Sequence, residues 1–189
     1  MKAQKIQTIN IYTDGACSGN QFETNSGGWG VILEYGAHTK ESCGGEPNTT
    51  NNRMEMTALI EGLSALRKKN LDVRVFSDSS YLINCLGKRW YEKWRANGWL
   101  TSDKRPVENK DLWEKLLAFL PDYEFRFYLI KGHIAKSARE ATLRSNYARF
   151  TERNGDGFSY EEFLKIADRN RRADELANLG ASEARDRTA

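Results

Sequence analysis

Cysteine is scarce in this chain of 189 residues: there are three, Cys17, Cys43 and Cys85, an odd number at no metal-ligand spacing. That excludes a disulfide scaffold and a cysteine-built zinc site, and free thiols suit a reducing cytoplasm. No stretch approaches the roughly 20 apolar residues of a membrane span, so no membrane partner is expected. The opening residues, MKAQKIQTIN, lack an apolar signal core. An excess of one charge is also missing. Lys and Arg number 29 against 26 Asp and Glu, a net charge of +3, which excludes a histone-like polycation and a disordered acidic chain. Internal repeats and low-complexity runs are absent. What is present is 39% hydrophobic and 29% charged, and long enough to bury about two-thirds of its unfolded surface in one core. One domain over residues 1–189, monomeric and cytoplasmic, is the expectation.

The distribution of charge says more than its sum. Residues 1–85 hold 8 basic and 9 acidic side chains, and residues 86–110 hold 7 and 3, a net +4. The second segment also carries Trp90, Trp94 and Trp99, three of the five tryptophans. Cations interleaved with rings suit a phosphate backbone and its sugars or bases. They equally suit a solvated amphipathic helix whose tryptophans are core.

Ile9 and Ile11 alternate at strand period in 6–13, with Asp14-Gly15 ending the run. Strands are also expected at 28–35, 39–46, 72–77 and 123–130. Asn48 to Asn52 is a cluster of helix-capping residues. Met54, Ala58, Leu59, Leu63 and Leu66 then recur at helical spacing up to Asn70. Further helices follow Asp78, cover 109–120 until Pro121, and fill the polar tail. Three strands, then helices alternating with strands, predict an α/β fold with a five-stranded mixed sheet flanked by helices.

Asp14 and Asp78 each end a short apolar strand, before a Gly or a Ser. If those strands are parallel neighbours, the two carboxylates emerge together where α/β sheets bind ligands. Glu55 lies near the apolar face of the first helix, which is costly unless the carboxylate is paired or ligated. Carboxylate oxygens suit hard cations such as Mg²⁺. Taken singly, each acid fits a turn or an amphipathic helix just as well.

Five motifs occur in order: Y-T-D-G-A-C-S-G-N (12–20), T-N-N-R-M-E-M (50–56), F-S-D-S-S-Y (76–81), K-G-H (131–133) and N-R-R-A-D-E-L-A (170–177). Together they resemble the motif set of type 1 ribonuclease H, and Trp90 to Trp113 resembles that family's basic protrusion, or handle. The resemblance implies the ribonuclease H-like fold and endonucleolytic cleavage of RNA in RNA–DNA hybrids by a two-metal route leaving 5′-phosphate and 3′-hydroxyl ends. It implies that Asp14, Glu55, Asp78 and Asp174 hold two Mg²⁺, with Mn²⁺ as a substitute, and that His133 assists proton movement or product release. It places Cys17, Gly19, Asn20, Asn51 and Asn52 against RNA 2′-hydroxyls. Thr50 and Asn109 would grip a DNA phosphate, and Tyr81, Trp90, Trp94 and Ser102 would accept deoxyribose rings. Structural duties compete for some of these: Asn51 and Asn52 as helix caps, and Trp113 of the handle as core.

The chain departs from the family between His133 and Asp174, where 40 residues replace a much shorter loop. Residues 137–169 read as an insertion of two short amphipathic helices around Asn154 to Gly157, a small dispensable lobe packed on itself or on the sheet's rim, or else a holder of the start of the last helix and so of Asp174. N-G-D-G…E-E-F resembles half of a calcium-binding EF-hand, but Glu152 stands at the opening position and Glu162 falls one residue early, so a plain αα-hairpin is expected. No separate hybrid-binding domain is expected before residue 6. A catalytically inactive hybrid-binding module would have lost a metal carboxylate, and none is lost. Resolvases and integrases of the same fold lack the Trp-rich handle.

Overall fold

The computed structural model describes residues 7–18 and 25–187. Five strands, β1 (Thr8–Ser18), β2 (Ser26–Tyr35), β3 (His38–Pro47), β4 (Leu71–Ser77) and β5 (Tyr123–Leu129), form one sheet in the order β3-β2-β1-β4-β5. β2 is antiparallel to both its neighbours, β1 and β3, whereas β4 and β5 run parallel to β1. Six helices flank it: α1 (Asn51–Ser64), α2 (Ser80–Gly87), α3 (Trp90–Ala96), α4 (Lys110–Phe119), α5 (Glu140–Asn154) and α6 (Tyr160–Asp186). This is the expected five-stranded mixed sheet flanked by helices. No helix among the described residues is long and apolar enough to cross a membrane.

Strand alternation divides the core in two. Ile9, Ile11, Val31, Leu33, Val73 and Val75 face α1, α2 and α4 on one side. Tyr12, Ile32, Phe76 and Ile130 face α5 and α6 on the other. Trp113 is fully buried in the first cluster, with Trp94 packed edge-on against it. Thr50 caps α1, its hydroxyl accepting the Arg53 N–H at 3.3 Å. α1 stops at Ser64 rather than at Asn70. Leu66 still packs on the core from the loop, and Asn70 takes φ +57 to turn the chain into β4. β1 likewise does not end at Asp14. It pairs with β2 as far as Ser18 and loses its other neighbour after Thr13, where β4 runs out.

The segment 137–169 is not two short helices packed on each other. α5 is one helix, but the second half of the segment is the start of α6, a continuous 27-residue helix that also bears Asp174. Phe150, Phe158, Phe163 and Ile166 fill the second core against Tyr12, Ile32 and Phe76. Asn154 pairs with the free edge of β5 as a strand would: its Oδ1 accepts the Leu129 N–H at 3.0 Å and its Nδ2 donates to the Leu129 carbonyl at 2.9 Å. At the turn, Glu162 forms a capping box with Ser159, accepting the Ser159 N–H at 2.7 Å.

This packing makes a prediction that runs against a dispensable lobe. Phe163→Ala should cost about 3–5 kcal/mol of stability in urea melts, the usual range for emptying a buried ring site. Removing 137–169 should give a chain that fails to unfold cooperatively. A deletion that melts like the parent would refute the packing argument.

Candidate active site

The parallel pairing of β1 with β4 runs up to Thr13 opposite Ser77. The next residues, Asp14 and Asp78, therefore leave the carboxyl end of the sheet side by side, where crossover connections open a crevice. Glu55 reaches them from the second turn of α1. That approach requires Gly15: a Cβ there would lie 2.4 Å from the Glu55 backbone nitrogen. Asp78 needs a similar gap, because a Cβ on Gly132 would lie 2.0 Å from its Oδ2. The outcome is a carboxylate oxygen from each of Asp14, Glu55 and Asp78 within 4.8 Å of one another.

Asp14 and Glu55 are each only 4% exposed, so their mutual repulsion is poorly screened. Burial first, then the charges of Asp78 and Asp174, push the Asp14 carboxyl up to about 8. Burial, with Asp14 and Asp78 adding to it, holds Glu55 well above the carboxylate range. Burial also raises Asp78, against a hydrogen bond from Asn170 and the charge of His133. One oxygen of each buried acid, Asp14 Oδ2 and Glu55 Oε2, accepts no hydrogen bond. Orphaned anionic oxygens facing one another are what a hard divalent cation would satisfy, so the residues fit Mg²⁺ or a similar ion. Among the described residues no other group of three or more His, Cys, Asp or Glu side chains is so arranged.

A cavity of about 550 Å³ opens over the cluster and gathers most of the expected site residues. Asp174, His133, Cys17, Asn51, Asn52 and Tyr81 all line it. Asp174, half-buried on α6, stands outside the tight trio and accepts the Asn178 Nδ2–H at 3.1 Å. His133 is exposed at the rim with φ +55. Cys17 Sγ donates to the Thr49 carbonyl at 3.6 Å. Gly19 and Asn20 lie outside the described residues.

The remaining residues sit apart from the cavity. Thr50 and Asn109 are joined through Arg53, which donates to Asn109 Oδ1 at 3.3 Å and forms a two-pronged pair with Asp111. Trp94 lines a second cleft of about 400 Å³ on the handle, and Tyr81 borders both that cleft and the cavity. Tyr81 stacks edge-on with Trp113, whose indole N–H donates to its hydroxyl at 3.1 Å. Trp90, 40% exposed beneath the Lys88 ammonium, and Ser102 lie on the handle surface.

Three contributors went unassigned in the sequence. Asn170 is buried and hydrogen-bonds Asp78, Asn178 holds Asp174, and Arg53 links Thr50 to Asn109. The signal for the first two was available: Asn170, Asp174 and Asn178 recur every four residues, along one face of a helix.

The raised Asp14 fixes a pH dependence. Folding favours its protonated form, so this contribution to stability is complete below the ordinary Asp value and is lost as pH rises through about 8. The metal-free protein should therefore melt at a lower temperature at about pH 9 than at about pH 5, and Asp14→Asn should flatten that slope. Equal slopes for parent and variant would contradict the reading.

Known proteins resemble the chain in sequence and in fold. The RNase H family model matches residues 6–144, stopping inside α5 before Asp174. The ribonuclease H of Thermoanaerobacter sp. (strain X514) is 50% identical over 131 residues, covering 69% of this chain and 82% of that protein. That of Caldanaerobacter subterraneus subsp. tengcongensis is 52% identical over 127 residues, covering 67% and 80%. Among solved structures, LC9-RNase H1, a type 1 RNase H with the type 2 active-site motif, superposes with a TM-score of 0.62 at 24% identity over 89% of this chain and 87% of that one. LC11-RNase H1 in complex with an RNA/DNA hybrid gives 0.56 at 22% identity over 93% and 98%. These last two likenesses concern the fold.

Proposed function

The chain belongs to the ribonuclease H family, and from that premise we propose that it hydrolyses the RNA strand of RNA–DNA hybrids at the Asp14–Glu55–Asp78 cluster. The observation that carries this reading is the set of three clustered acids, two of them with an orphaned oxygen, in a chain 50% identical over 131 residues to a protein named ribonuclease H. A fold neighbour bound to an RNA/DNA hybrid supports the substrate class.

Asp14, Glu55 and Asp78, with Asp174 across the cavity, would hold two Mg²⁺ ions, for which Mn²⁺ could substitute. Bound there, the ions would supply Lewis acidity and a water of lowered pKa, and the products would carry 5′-phosphate and 3′-hydroxyl ends. The chain's own residues do the positioning. Asn170 keeps Asp78 turned toward its neighbours, and Asn178 does the same for Asp174. His133 at the rim would carry protons between the cavity and solvent. Asn51 and Asn52 can donate and accept, which suits RNA 2′-hydroxyls, with Cys17, Gly19 and Asn20 completing that row. Thr50 and Asn109, linked by Arg53, would take a phosphate of the DNA strand. Tyr81, Trp90, Trp94 and Ser102 would pack on its sugars, where a 2′-oxygen does not fit. A monomer working in the cytoplasm completes the proposal.

Two variants test it. Asp14→Asn should reduce Mg²⁺-dependent cleavage of a labelled hybrid to background while leaving hybrid binding nearly intact. Substantial turnover by that variant would sink the assignment. Trp90→Ala removes an exposed ring and spares the buried Trp94–Trp113 contact. It should raise KM roughly 3- to 10-fold with little change in kcat. An unchanged KM would leave the handle a purely structural element.

A further inference from the structure

Charge in the last third of the chain is unevenly placed. Residues 131–153 hold six basic and two acidic side chains, net +4, whereas residues 154–189 hold six and eight, net −2. The first value equals that of the handle segment 86–110. Within α5, Leu143, Tyr147 and Phe150 turn toward the second core. The outer stripe is Thr142, Ser145, Arg149 and Arg153, at successive spacings of three, four and four residues and all exposed, with Glu152 as the one acid beside them. Lys136 and Arg139, also exposed, lead into it. Hydroxyls and guanidinium groups are the side chains that meet phosphate oxygens.

A solvated helix face would look different. On α6 and α4 most cations have an acidic partner, as in Arg171 with Glu175 and Lys110 with Glu114, although Lys115 on α4 has none among the described residues. On α5, Arg144 has such a partner in Glu140 and lies over the Tyr160 ring. Among the described residues, Lys136, Arg139, Arg149 and Arg153 form no ion pair.

The segment is tied at both ends to the edge of the sheet that carries the acids. It leaves the cavity at His133, and Ile134 is buried directly after. At its other end Asn154 is bonded to Leu129, which pairs with Ser77, the residue before Asp78. The handle packs on the opposite face of the sheet, through Tyr91, Trp94 and Trp113. The carboxylates thus lie between two cationic segments. A helix of 15 residues is about 22 Å long, the reach of roughly six base steps.

We propose that Lys136, Arg139, Thr142, Ser145, Arg149 and Arg153 form a second contact surface for the phosphate backbone of the hybrid, extending the footprint beyond the active site on the side away from the handle. The inference rests on the hybrid-nuclease reading and adds to it a role for the segment that departs from the family pattern.

The test is binding of RNA–DNA hybrid across a salt series in EDTA, where no cleavage competes, for the full chain and for Arg149→Ala/Arg153→Ala. Both residues are exposed, so matching thermal melts should show the fold unchanged. On a hybrid of about 30 base pairs, the variant should bind about 5- to 10-fold more weakly, with the slope of log affinity against log salt shallower by roughly 2. Identical salt slopes for parent and variant on this hybrid overturn the proposal. A fault in the underlying nuclease reading shows elsewhere, as a parent that binds hybrid but yields no Mg²⁺-dependent fragments.

Discussion

Three carboxyl groups share a space less than 5 Å across, and much of the local architecture is what it takes to keep them there. Like charges in a poorly hydrated site repel strongly, and the chain supplies few hydrogen bonds to offset this. The cluster persists because each acid is set by backbone rather than by a flexible side-chain route. β1 overruns β4, so Asp14 is held by pairing to β2 on one side and open to Asp78 on the other. Gly15 lets α1 descend until Glu55 meets Asp14, and Gly132 lets the β5 exit loop pass against Asp78. A side chain at either glycine would separate acids that the fold otherwise compresses together.

The fourth acid depends on a longer chain of contacts. Asp174 is placed by α6, and α6 rides on β2 and β3 almost backbone to backbone. A Cβ on Gly28 or Gly30 would lie about 2 Å from the carbonyl of Ala177 or Ala173, and one on Gly180 as close to Gly44. Such contact fixes the helix's height above the sheet but leaves it free to slide. Sliding is prevented by the polar anchors. Burial disfavours the Glu34 carboxylate, yet the hydrogen bond and charge of Arg169 outweigh that and hold it ionised. Arg172 grips Glu41 with both its Nε and Nη2. Arg169 belongs to the stretch that looked insertable. It and the aromatic cluster below it make the segment part of the mechanism that sets Asp174 and, through Asn170, Asp78.

How much of this was legible follows from which signals are local. Strand alternation at Ile9 and Ile11 and again at Phe125 and Phe127 needs no tertiary knowledge, and the sheet appeared as expected. The juxtaposition of Asp14 and Asp78 followed from strand ends plus one assumption about parallel pairing, which the topology meets. Boundaries failed where a residue's local preference was satisfied for another reason. Asn70 resembles a helix stop but turns the chain into a strand, and Leu66 keeps helical spacing while packing from a loop. The break at Gly155 is real, yet nothing in the sequence between Phe163 and Asp174 marks a second one, and there is none. Reading an insertion by comparing spacings hid that continuity, because it cut α6 where the family resemblance resumed rather than where a helix ends. Thr50 and Asn109 were paired only through the resemblance, since no local pattern links two residues that meet through the backbone N–H and the guanidinium of Arg53.

The distribution of cations follows from the same electrostatic constraint. Four acids line the cavity, and none of the described residues lining it is Lys or Arg. A phosphate entering such a space meets net repulsion. A lysine or arginine placed inside would not remove it cleanly, because it would pair with the carboxylates and occupy the oxygens now left orphaned. Under the proposed function, neutralisation at the centre would fall to divalent ions, and the fixed cations would stand off at a distance. Charges more than about 8–10 Å away are largely screened at physiological salt, so distant cations act on the phosphates they touch and scarcely on the acids. A long polyanion can use both at once: its scissile phosphate at the acids and its flanking phosphates on cationic surfaces to either side. On this argument the +4 handle and the +4 segment leading from His133 answer one requirement, that an acidic centre bind an acidic polymer by its neighbours.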